Sequence, residues 1–568
     1  MDNKLFRLLI GSIIAISLSL SFFSGADDVI TVDELPHIGA GYSYWHNGKL
    51  QLNPEHPPLA KLVATLPLAI KSNDDSAFSS SYWNKNDPHY TQYEFTSEFL
   101  YKSRNDPDQL TQLARLFMLI FPLIALIVTA MWSYRISGYY ASIVATAFLG
   151  FSPTFLAHAK LITTDVPIMS LAILTLYFFS KFLDIRYLKY GIYSGLALGS
   201  ALLVKFSAVL LVPVLCLIFF LNIINDHKRA RLAEYINLGE IFAIALTIVF
   251  IVYAVFDRNT PISEYYNYLN KIVSALSNDW IAQMFNSVSG FITFRPLVSY
   301  LLGFVQVLDH NKYGHTAYFL GTISNSGSFW YFPIVFVIKE TLGHILLLIF
   351  SSILAIKILL TTGVRKISRN IDFIALGSWF AVYLAISLVS DINIGIRHIL
   401  PIFPVIAIFV GVILGSIIEN IKNRLAIGAV IILMLTAETF YAFPYYIPFF
   451  NILGGGSENG YKLVADSNVD WGQDLKRLAV FVDANNIRKI ELAYFSGWSD
   501  PNYYLKDKFV WLTEDKYSSK GSFIANSDTD GWLAISVQFL QTNPKYSWLQ
   551  KEKPIAKIGY SIFVYKLK

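Results

Sequence analysis

Long apolar runs separated by short charged connections fill most of the first 443 positions of the chain. About 20 apolar residues suffice to cross the roughly 30 Å hydrocarbon core of a bilayer, since each helical residue adds about 1.5 Å. The pattern predicts eleven membrane-spanning helices. Their predicted bounds are Leu8–Ala26, Leu116–Tyr134, Gly138–Ala157, Val166–Leu183, Tyr190–Val204, Phe206–Ile224, Ile236–Phe256, Leu342–Leu360, Ile371–Val389, Ile399–Ile418 and Leu425–Phe443.

The first run has the flanks of either a signal peptide or a first membrane helix, because Lys4 and Arg7 precede it. It is long enough to span a bilayer, and ten similar runs follow. We therefore expect an uncleaved helix.

The fifth predicted helix, Tyr190–Val204, is the shortest, and Lys205 alone separates it from the sixth. Gly191, Gly195 and Gly199 recur along it at four-residue spacing. Small residues at this spacing let two membrane helices approach closely. The spacing predicts a tightly packed neighbour.

Positive charges in the short connections favour one orientation, because cytoplasmic loops are enriched in Lys and Arg. With the amino terminus inside, the inner connections hold Arg135, Arg186, Lys189, Lys228, Arg229, Arg231, Arg365, Lys366, Arg369, Lys422 and Arg424. Loops 27–108 and 257–340 and the tail 444–568 then face outward. We expect a multi-pass protein of the inner or plasma membrane, with a cytoplasmic amino terminus and an extracytoplasmic (periplasmic) carboxy-terminal domain.

Composition supports a membrane protein and limits the classes of partner. Of 568 residues, 54% are hydrophobic and 15% are charged, against about 25% charged residues in a soluble domain. The net charge of +5 is small for this length, so it indicates no nucleic acid or other acidic polymer as partner. The single cysteine, Cys216, permits no internal disulfide, and no Cys/His spacing suggests structural zinc.

The tail has a different pattern from the membrane part. It predicts a helix over Asp466–Asn485 and strands over Lys489–Phe495, Trp532–Phe539 and Tyr560–Tyr565. On such a helix Asp470 and Asp474 would share a face, which the surface of a folded domain explains. We therefore expect a membrane domain over residues 1–443 and a small soluble α/β domain over 444–568.

Ionisable residues from distant segments fall on the same predicted side of the membrane. A charge at the centre of a membrane helix costs about 3 kcal/mol, so such groups either reach water or line a site. Short turns that simply contain charges would give the same distribution. The residues are Asp33, Glu34, Glu55, His56, Lys61, Asp165, Lys205, Lys339, Glu340, Asp391 and Arg397.

Two motifs in the first outer loop favour residues that line a site over charges that simply lie in short turns. They read Asp33-Glu34-Leu35-Pro36-His37 and Asn53-Pro54-Glu55-His56-Pro57-Pro58-Leu59-Ala60-Lys61, with apolar residues spaced as in short helices lying on the membrane. The chain here resembles the GT-C glycosyltransferases, specifically the protein O-mannosyltransferases and lipid A aminoarabinose transferases. Those enzymes have an Asp-Glu pair after the first helix and a Pro-Pro-Leu-x-Lys-like segment in the same loop. The resemblance implies an all-α polytopic membrane domain.

Further motifs follow in the order of the family. Thr163–Pro167 contains Asp165 where the family has a second acidic residue, Leu203–Ser207 contains Lys205 at its interfacial lysine, and Ile396–Pro401 contains Arg397 at its arginine. Phe329–Pro333 with Lys339 also looks like bacterial members, and Asp466–Asp474 is similar to a subset of them. The resemblance covers about residues 5–445 in architecture.

The resemblance implies transfer of a sugar from a polyprenyl-phosphate donor to an extracytoplasmic acceptor. The leaving phosphate must be held and neutralised, a role that suits Lys205 and Arg397, with Lys61 as a third candidate. A carboxylate must accept the proton of the acceptor, and the resemblance implies that Asp33 has this role. Asp165 is the rival base, or it binds the sugar or acceptor. Attack opposite the phosphate predicts inversion, and the further candidates for substrate binding are Glu34, His37, Glu55 and His56.

Each of these residues also has a purely structural explanation. Asp33 follows the first span as a solvated residue or a helix cap would, and Asp165 precedes Val166-Pro167 as an amino-terminal cap would. For Lys205, the structural explanation is a side chain that extends from between two helices to the membrane surface. For Arg397, the structural explanation is that its side chain anchors the end of a helix.

The sequence requires no cofactor, although a divalent metal ion is compatible with it. Glu55 with His56 or His315 has suitable ligand atoms, but no fixed spacing on one element. We favour ordinary polar contacts as the explanation for these residues.

A polytopic transporter or lipid-carrier flippase is the main alternative to an enzyme. Transporters place substrate groups near the bilayer midplane between repeated halves. Here the charges gather on one side and no internal repeat is visible, which favours the enzyme. An envelope ligase or acyltransferase would share the topology but not the motifs of the first loop.

Overall fold

Helices form most of the protein. The computed structural model describes residues 2–71, 74, 76–81, 83, 88–226, 232–263, 266, 267, 270, 283, 295–362 and 370–568. The helices of the first half are α1 (Asn3–Ser24), α2 (Glu34–Asn47), α3 (Leu59–Lys71), α4 (Pro88–Ser97), α5 (Pro107–Met118), α6 (Ile120–Gly150), α7 (Pro153–Ala159), α8 (Asp165–Ile185), α9 (Leu188–Leu202), α10 (Leu211–Asp226) and α11 (Leu232–Phe256). They are followed by α12 (Arg295–Tyr313), α13 (Tyr331–Lys339), α14 (Leu342–Thr362), α15 (Ile371–Leu388), α16 (Phe403–Ile418) and α17 (Arg424–Ala442).

Among the described residues, nine helical stretches are long and apolar enough to cross a membrane. One of them, Pro107–Gly150, contains the second predicted helix and most of the third, with non-helical backbone at Ser137 and Gly138 where the two meet. The fifth predicted helix is α9, which is shorter than those nine. The eleven predicted segments are thus all helical, and the prediction of a polytopic helical membrane protein is confirmed.

The third predicted helix ends earlier than its apolar run suggested. Helix α6 stops at Gly150, and Ser152 then caps the separate short helix α7 by accepting a hydrogen bond from the Phe155 N–H. Pro153 at the first turn of α7 cannot donate a backbone hydrogen bond, which favours a new helix start.

Helix α9 packs closely against α11, as its glycine spacing predicted. A Cβ atom at Gly195 would lie 2.9 Å from the Ile241 carbonyl oxygen, and one at Gly199 would lie 3.0 Å from Ala245 Cα. Larger residues would force the two helices apart.

Residues from the predicted inner connections also meet in space. Arg135 forms ion pairs with Asp184 at the end of α8, at 2.9 Å, and with Asp372 at the start of α15, at 3.4 Å. Two of the charged connections lie outside the described residues, those with Lys228, Arg229, Arg231, Arg365, Lys366 and Arg369. Residues 264, 265, 268, 269, 271–282 and 284–294 of the second predicted outer loop also lie outside them.

The tail contains a mixed five-stranded sheet and short helices. Its strands, numbered after the small hairpin β1 (Ala317–Phe319) and β2 (Thr322–Ser324), are β3 (Ile490–Ala493), β4 (Phe509–Trp511), β5 (Trp532–Ser536), β6 (Ala556–Ile558) and β7 (Ile562–Lys566). The strand order is β4-β3-β5-β7-β6, with β3 parallel to β4 and β5, and β7 antiparallel to β5 and β6. The helices are α18 (Leu475–Ala484), α19 (Pro501–Leu505), α20 (Lys520–Asn526) and α21 (Val537–Thr542). An α/β tail is therefore confirmed, and β4 and β6 are additional strands.

The prediction of one helix over Asp466–Asn485 was wrong. A short 3₁₀ turn covers Asp466–Asn468, and α18 begins only at Leu475. Asp466 and Gly472 have φ angles of 56° and 80°, in the left-handed region that an α-helix excludes. Asp470 therefore lies before the helix and does not share a helical face with Asp474.

The tail is hydrogen-bonded to the segment that follows α1. The N–H of Val29 donates to the Gln473 carbonyl at 3.0 Å, and the N–H of Val32 donates to the Trp471 carbonyl at 3.1 Å. These contacts bring residues 466–474 to the end of the membrane part where Asp33 lies. The division into domains 1–443 and 444–568 stays a prediction.

Candidate active site

Four residues from distant segments occupy the ends of helices at one end of the bundle. Asp33 directly precedes α2, and Asp165 is the first residue of α8. Lys205 follows the end of α9 by three residues, and Arg397 lies in a 3₁₀ turn that leads into α16. Because α9 ends where α8 and α16 begin, the chain direction alone brings these positions together.

The four side chains form one cluster of ion pairs. Arg397 Nη1 lies 2.5 Å from Asp33 Oδ2 and 3.6 Å from Asp165 Oδ2. Lys205 Nζ lies 2.5 Å from Asp165 Oδ1. The side chains of Asp33 and Lys205 are 34% and 20% exposed, whereas those of Arg397 and Asp165 are buried. One carboxylate and one cation are thus accessible, and the buried pair connects them.

The cluster includes a tail residue that sequence analysis missed. The indole ring of Trp471 covers the guanidinium of Arg397, with 4.2 Å from the Arg397 carbon to the ring centroid. Trp471 is fully buried. In the described structure, Arg397 Nε is buried and has no hydrogen-bond partner. The only sequence signal was the motif Asp466–Asp474, to which no role had been assigned.

The environment of Asp33 keeps its carboxylate ionised. Burial is the largest single influence and raises the pKa of Asp33, but the adjacent Arg397 guanidinium and His37 together lower it by more, so the net pKa lies below the ordinary value. Asp165 also raises this pKa. Asp33 is therefore a carboxylate, able to accept a proton, at neutral pH.

The chain is similar to known proteins both in part of its sequence and in its fold. A family model described as dolichyl-phosphate-mannose-protein mannosyltransferase matches residues 109–255, a stretch that includes Asp165 and Lys205. The apo oligosaccharyltransferase of Archaeoglobus fulgidus is similar over 97% of this chain and 73% of its own, with 10% identity and a TM-score of 0.51. The chain has the fold of a GT-C membrane glycosyltransferase. The predicted GT-C fold is thereby confirmed.

Two further solved structures are similar at lower TM-scores. ArnT from Cupriavidus metallidurans bound to undecaprenyl phosphate is 12% identical, covers 99% of this chain and 98% of its own, and has a TM-score of 0.46. The S. cerevisiae protein O-mannosyltransferase Pmt1-Pmt2 complex bound to the sugar donor is 20% identical over 45% of this chain and 34% of its own, with a TM-score of 0.30. No curated protein sequence matches the chain.

Glu34, next to Asp33 in this GT-C fold, is fully engaged by other parts of the protein. Its carboxylate accepts hydrogen bonds from Arg115 Nη2 at 2.6 Å and Nε at 2.9 Å, and from the N–H groups of Thr31 and Ile162 at 2.9 and 3.1 Å. Both side chains of the ion pair are completely buried. This geometry indicates a structural role, and substrate binding by Glu34 stays a prediction.

Lys61 is also buried and satisfied by neutral acceptors. Its ammonium donates to the carbonyls of Asn53 and His56, both at 2.7 Å, and to the Tyr44 hydroxyl at 3.0 Å. Burial lowers the pKa of Lys61 well below its ordinary value. These contacts fix the turn before α3, so phosphate binding by Lys61 would require its three donors to exchange partners and stays a prediction.

His37 and His56 lie beside the cluster as a pair. Their rings are 5.2 Å apart in an edge-to-face arrangement, and His37 Nδ1 is 2.6 Å from the Ile162 carbonyl oxygen. Burial lowers the pKa of His37 to about 4 and that of His56 well below its ordinary value. Both are neutral at pH 7 and can hydrogen-bond a sugar, and this role stays a prediction.

The metal prediction gains no support from the geometry. Across the described part of the chain, no group of three or more His, Cys, Asp or Glu side chains could hold a metal ion. Glu55 accepts a hydrogen bond from Asn53 Nδ2 at 3.2 Å, and His315 Nδ1 lies 3.2 Å from the Thr316 carbonyl oxygen. A metal bound by Glu55 and His315 stays a prediction.

Proposed function

We propose that the chain is an inverting glycosyltransferase that moves a sugar from a polyprenyl-phosphate donor to an acceptor outside the cytoplasm. One observation supports this most directly. Arg397 lies between the carboxylates of Asp33 and Asp165, with Lys205 beside Asp165, at one end of a membrane helix bundle. The polyprenyl carrier is supported by the description of the matching family, which names dolichyl-phosphate-mannose, a sugar on a polyprenyl phosphate.

The two cations would bind the donor phosphate. Breaking the bond between the anomeric carbon and phosphate leaves the electron pair on a phosphate oxygen, so no protein acid needs to protonate the leaving group. The growing negative charge would be stabilised by Lys205 and by Arg397, whose Nε has no hydrogen-bond partner in the described structure. Their position at a helix end suits a phosphate held at the level of lipid headgroups.

Asp33 would act as the general base. As the acceptor oxygen or nitrogen attacks the anomeric carbon, its proton passes to the Asp33 carboxylate while the bond to phosphate breaks. Attack from the side opposite the phosphate inverts that carbon. A phosphate that binds Arg397 competes with Asp33 for the same guanidinium, so donor binding would also release the base.

Asp165 would position the two cations. It is buried and contacts both Lys205 and Arg397, whereas Asp33 is the more exposed carboxylate. An acceptor can reach Asp33 more directly. We therefore assign the base to Asp33, and to Asp165 the task of holding Lys205 and Arg397 a fixed distance apart.

The test is sugar transfer in proteoliposomes. Purified protein receives a panel of radiolabelled polyprenyl-phosphate hexoses and pentoses, with protein, glycolipid and polysaccharide acceptors. The wild type should transfer at least one sugar and Asp33→Asn should not, while Asp515→Asn, which alters an exposed carboxylate of the tail, should behave as wild type.

Two results would contradict the proposal in different ways. Equal transfer by wild type and Asp33→Asn would remove Asp33 as the base. No transfer by the wild type from any donor would overturn the enzymatic function and favour the transporter or flippase.

A further inference from the structure

The tail segment Asp466–Asp474 packs against the backbone that presents Arg397. Ser467 Oγ donates to the Ile394 carbonyl at 2.7 Å, and the N–H of Ile396 donates to Asn468 Oδ1 at 3.1 Å. A Cβ atom at Gly395 would overlap Ser467 Oγ. The tail therefore fixes the residues directly before Arg397.

The same segment fixes the backbone beside Asp33. The Trp471 carbonyl accepts from the N–H of Val32, the residue before Asp33, at 3.1 Å. Trp471 thus contacts Arg397 through its ring, and through its carbonyl it holds the residue directly before Asp33. The ring covers one face of the Arg397 guanidinium at 4.2 Å, so the planar group can rotate little.

Buried charges anchor this segment to the membrane part. Asp474 pairs with Arg477 at 2.5 Å, and Arg477 pairs with Asp28 at 2.8 Å. Asp28 also binds Lys160 at 3.1 Å. Lys339 Nζ donates to the Asn468 carbonyl at 2.8 Å. The contact at Trp471 is therefore part of an extensive interface.

We propose that Trp471 is a positioning residue of the active site, and that the tail completes this site by orienting Arg397 toward the donor phosphate. The inference rests on the proposed function. Stacking against indole leaves the edge of the guanidinium, with its N–H donors, as the part that meets an anion. Without the ring, Arg397 would keep its charge but lose its fixed orientation, so donor binding should weaken while acceptor binding does not.

The test is a donor titration of full-length Trp471→Leu, Trp471→Phe and wild type in proteoliposomes. We expect Trp471→Leu to raise the apparent donor KM on the order of tenfold. Trp471→Phe, which keeps an aromatic ring, should show a smaller rise of about threefold. The acceptor KM should stay unchanged in both. A merely structural role would not separate the two substrates in this way.

Trp532→Leu is the matched control. Trp532 lies in β5 of the same tail with Lys566 over its ring at 4.6 Å, so this variant also loses a contact between a cation and an indole. It has no described contact with the four-residue cluster and should titrate as wild type. If Trp471→Leu fails to fold, Trp471→Phe decides by the same donor titration.

An unchanged donor KM in the folded Trp471 variants would overturn the inference, as would an equal rise in donor and acceptor KM. If the wild type transfers sugar and Asp33→Asn does not, while the Trp471 variants titrate as wild type, only this inference fails. If the wild type transfers nothing, the proposed function itself fails.

Discussion

Arg397 Nη1 and Asp33 Oδ2 lie 2.5 Å apart although 364 positions separate the two residues in the chain. This pair joins the segment after the first membrane helix to the segment before α16. It keeps the carboxylate ionised and gives the buried cation a partner. In the proposed mechanism the donor phosphate would replace Asp33 at Arg397, so one site could hold both the base and the phosphate-binding group.

Asp33→Asn should abolish most transfer while preserving donor binding. Loss of a general base costs on the order of 10²–10⁴-fold in rate. The neutral amide also frees Arg397, so donor affinity should stay equal or increase. Initial rates and equilibrium binding of a labelled donor measure the two effects separately. A rate loss fully explained by weaker donor binding would show that Asp33 organises the site and does not accept the proton.

The pH dependence should reveal the Asp33–Arg397 pair directly. As the proposed base Asp33 must be deprotonated, and its pKa lies below the ordinary value of 3.8 because Arg397 and His37 together outweigh burial. The kcat/KM of the wild type should therefore show no acidic decline due to Asp33 above about pH 4.

Arg397→Gln should move that acidic decline to higher pH. Without the guanidinium, the largest influence that lowers the Asp33 pKa is gone while burial and Asp165 still raise it, so the base form is lost at a higher pH. The residual kcat/KM of this variant against pH measures the shift. If the acidic decline of kcat/KM stays at the same pH, a group other than Asp33 controls the rate.

The common side of the four cluster residues could be predicted because Asp165, Lys205 and Arg397 stand beside apolar runs and Asp33 follows the first run by seven residues. They are among the ionisable groups that a chain of membrane helices brings to one end. The periodicity of the runs determines those ends before any tertiary contact is known. The alternating pattern of the tail likewise indicated an α/β fold.

Contacts between distant segments could not be predicted in the same way. Nothing in the local sequence around Trp471 indicates that its ring covers Arg397, because this contact depends on how the tail docks. The pair of Glu34 with Arg115 is equally invisible, since no periodicity relates the two positions. The helix predicted from Asp466 failed because Asp466 and Gly472 adopt left-handed backbone that hydrophobic periodicity does not report.

Lys205→Ala should raise the donor requirement more than it alters acceptor use. Lys205 is the exposed cation of the cluster, and its only described partner is Asp165. Removing it takes one positive charge from the predicted phosphate site. Donor and acceptor titrations measure the two effects. Lys189→Ala, an exposed lysine at the start of α9 and at the opposite end of that helix, is the control and should change neither.

Glu34→Gln should destabilise the protein and leave the donor KM unchanged. Breaking a completely buried ion pair leaves Arg115 charged without its partner, which costs about 3–5 kcal/mol. Glu98→Gln breaks an exposed pair with Lys102 and should cost less than about 1 kcal/mol. Unfolding in mixed detergent measures both. A changed donor or acceptor KM with unaltered stability would instead support the predicted substrate-binding role of Glu34.

Accessibility labelling should place the cluster and the tail on the outer side of the membrane. In a Cys216→Ala background, single cysteines at the exposed positions Asp27, Asp391 and Lys551 should react with an impermeant maleimide in intact cells. Cysteines at the exposed positions Arg186 and Lys422 should react only after the membrane is opened. This follows because Asp27 and Asp391 lie near Asp33 and Arg397 in sequence, while Arg186 and Lys422 belong to the positively charged inner connections. Since Asp33 and Arg397 share an ion pair, labelling of Asp27 and Asp391 from opposite sides would be incompatible with that pair and with the proposed site.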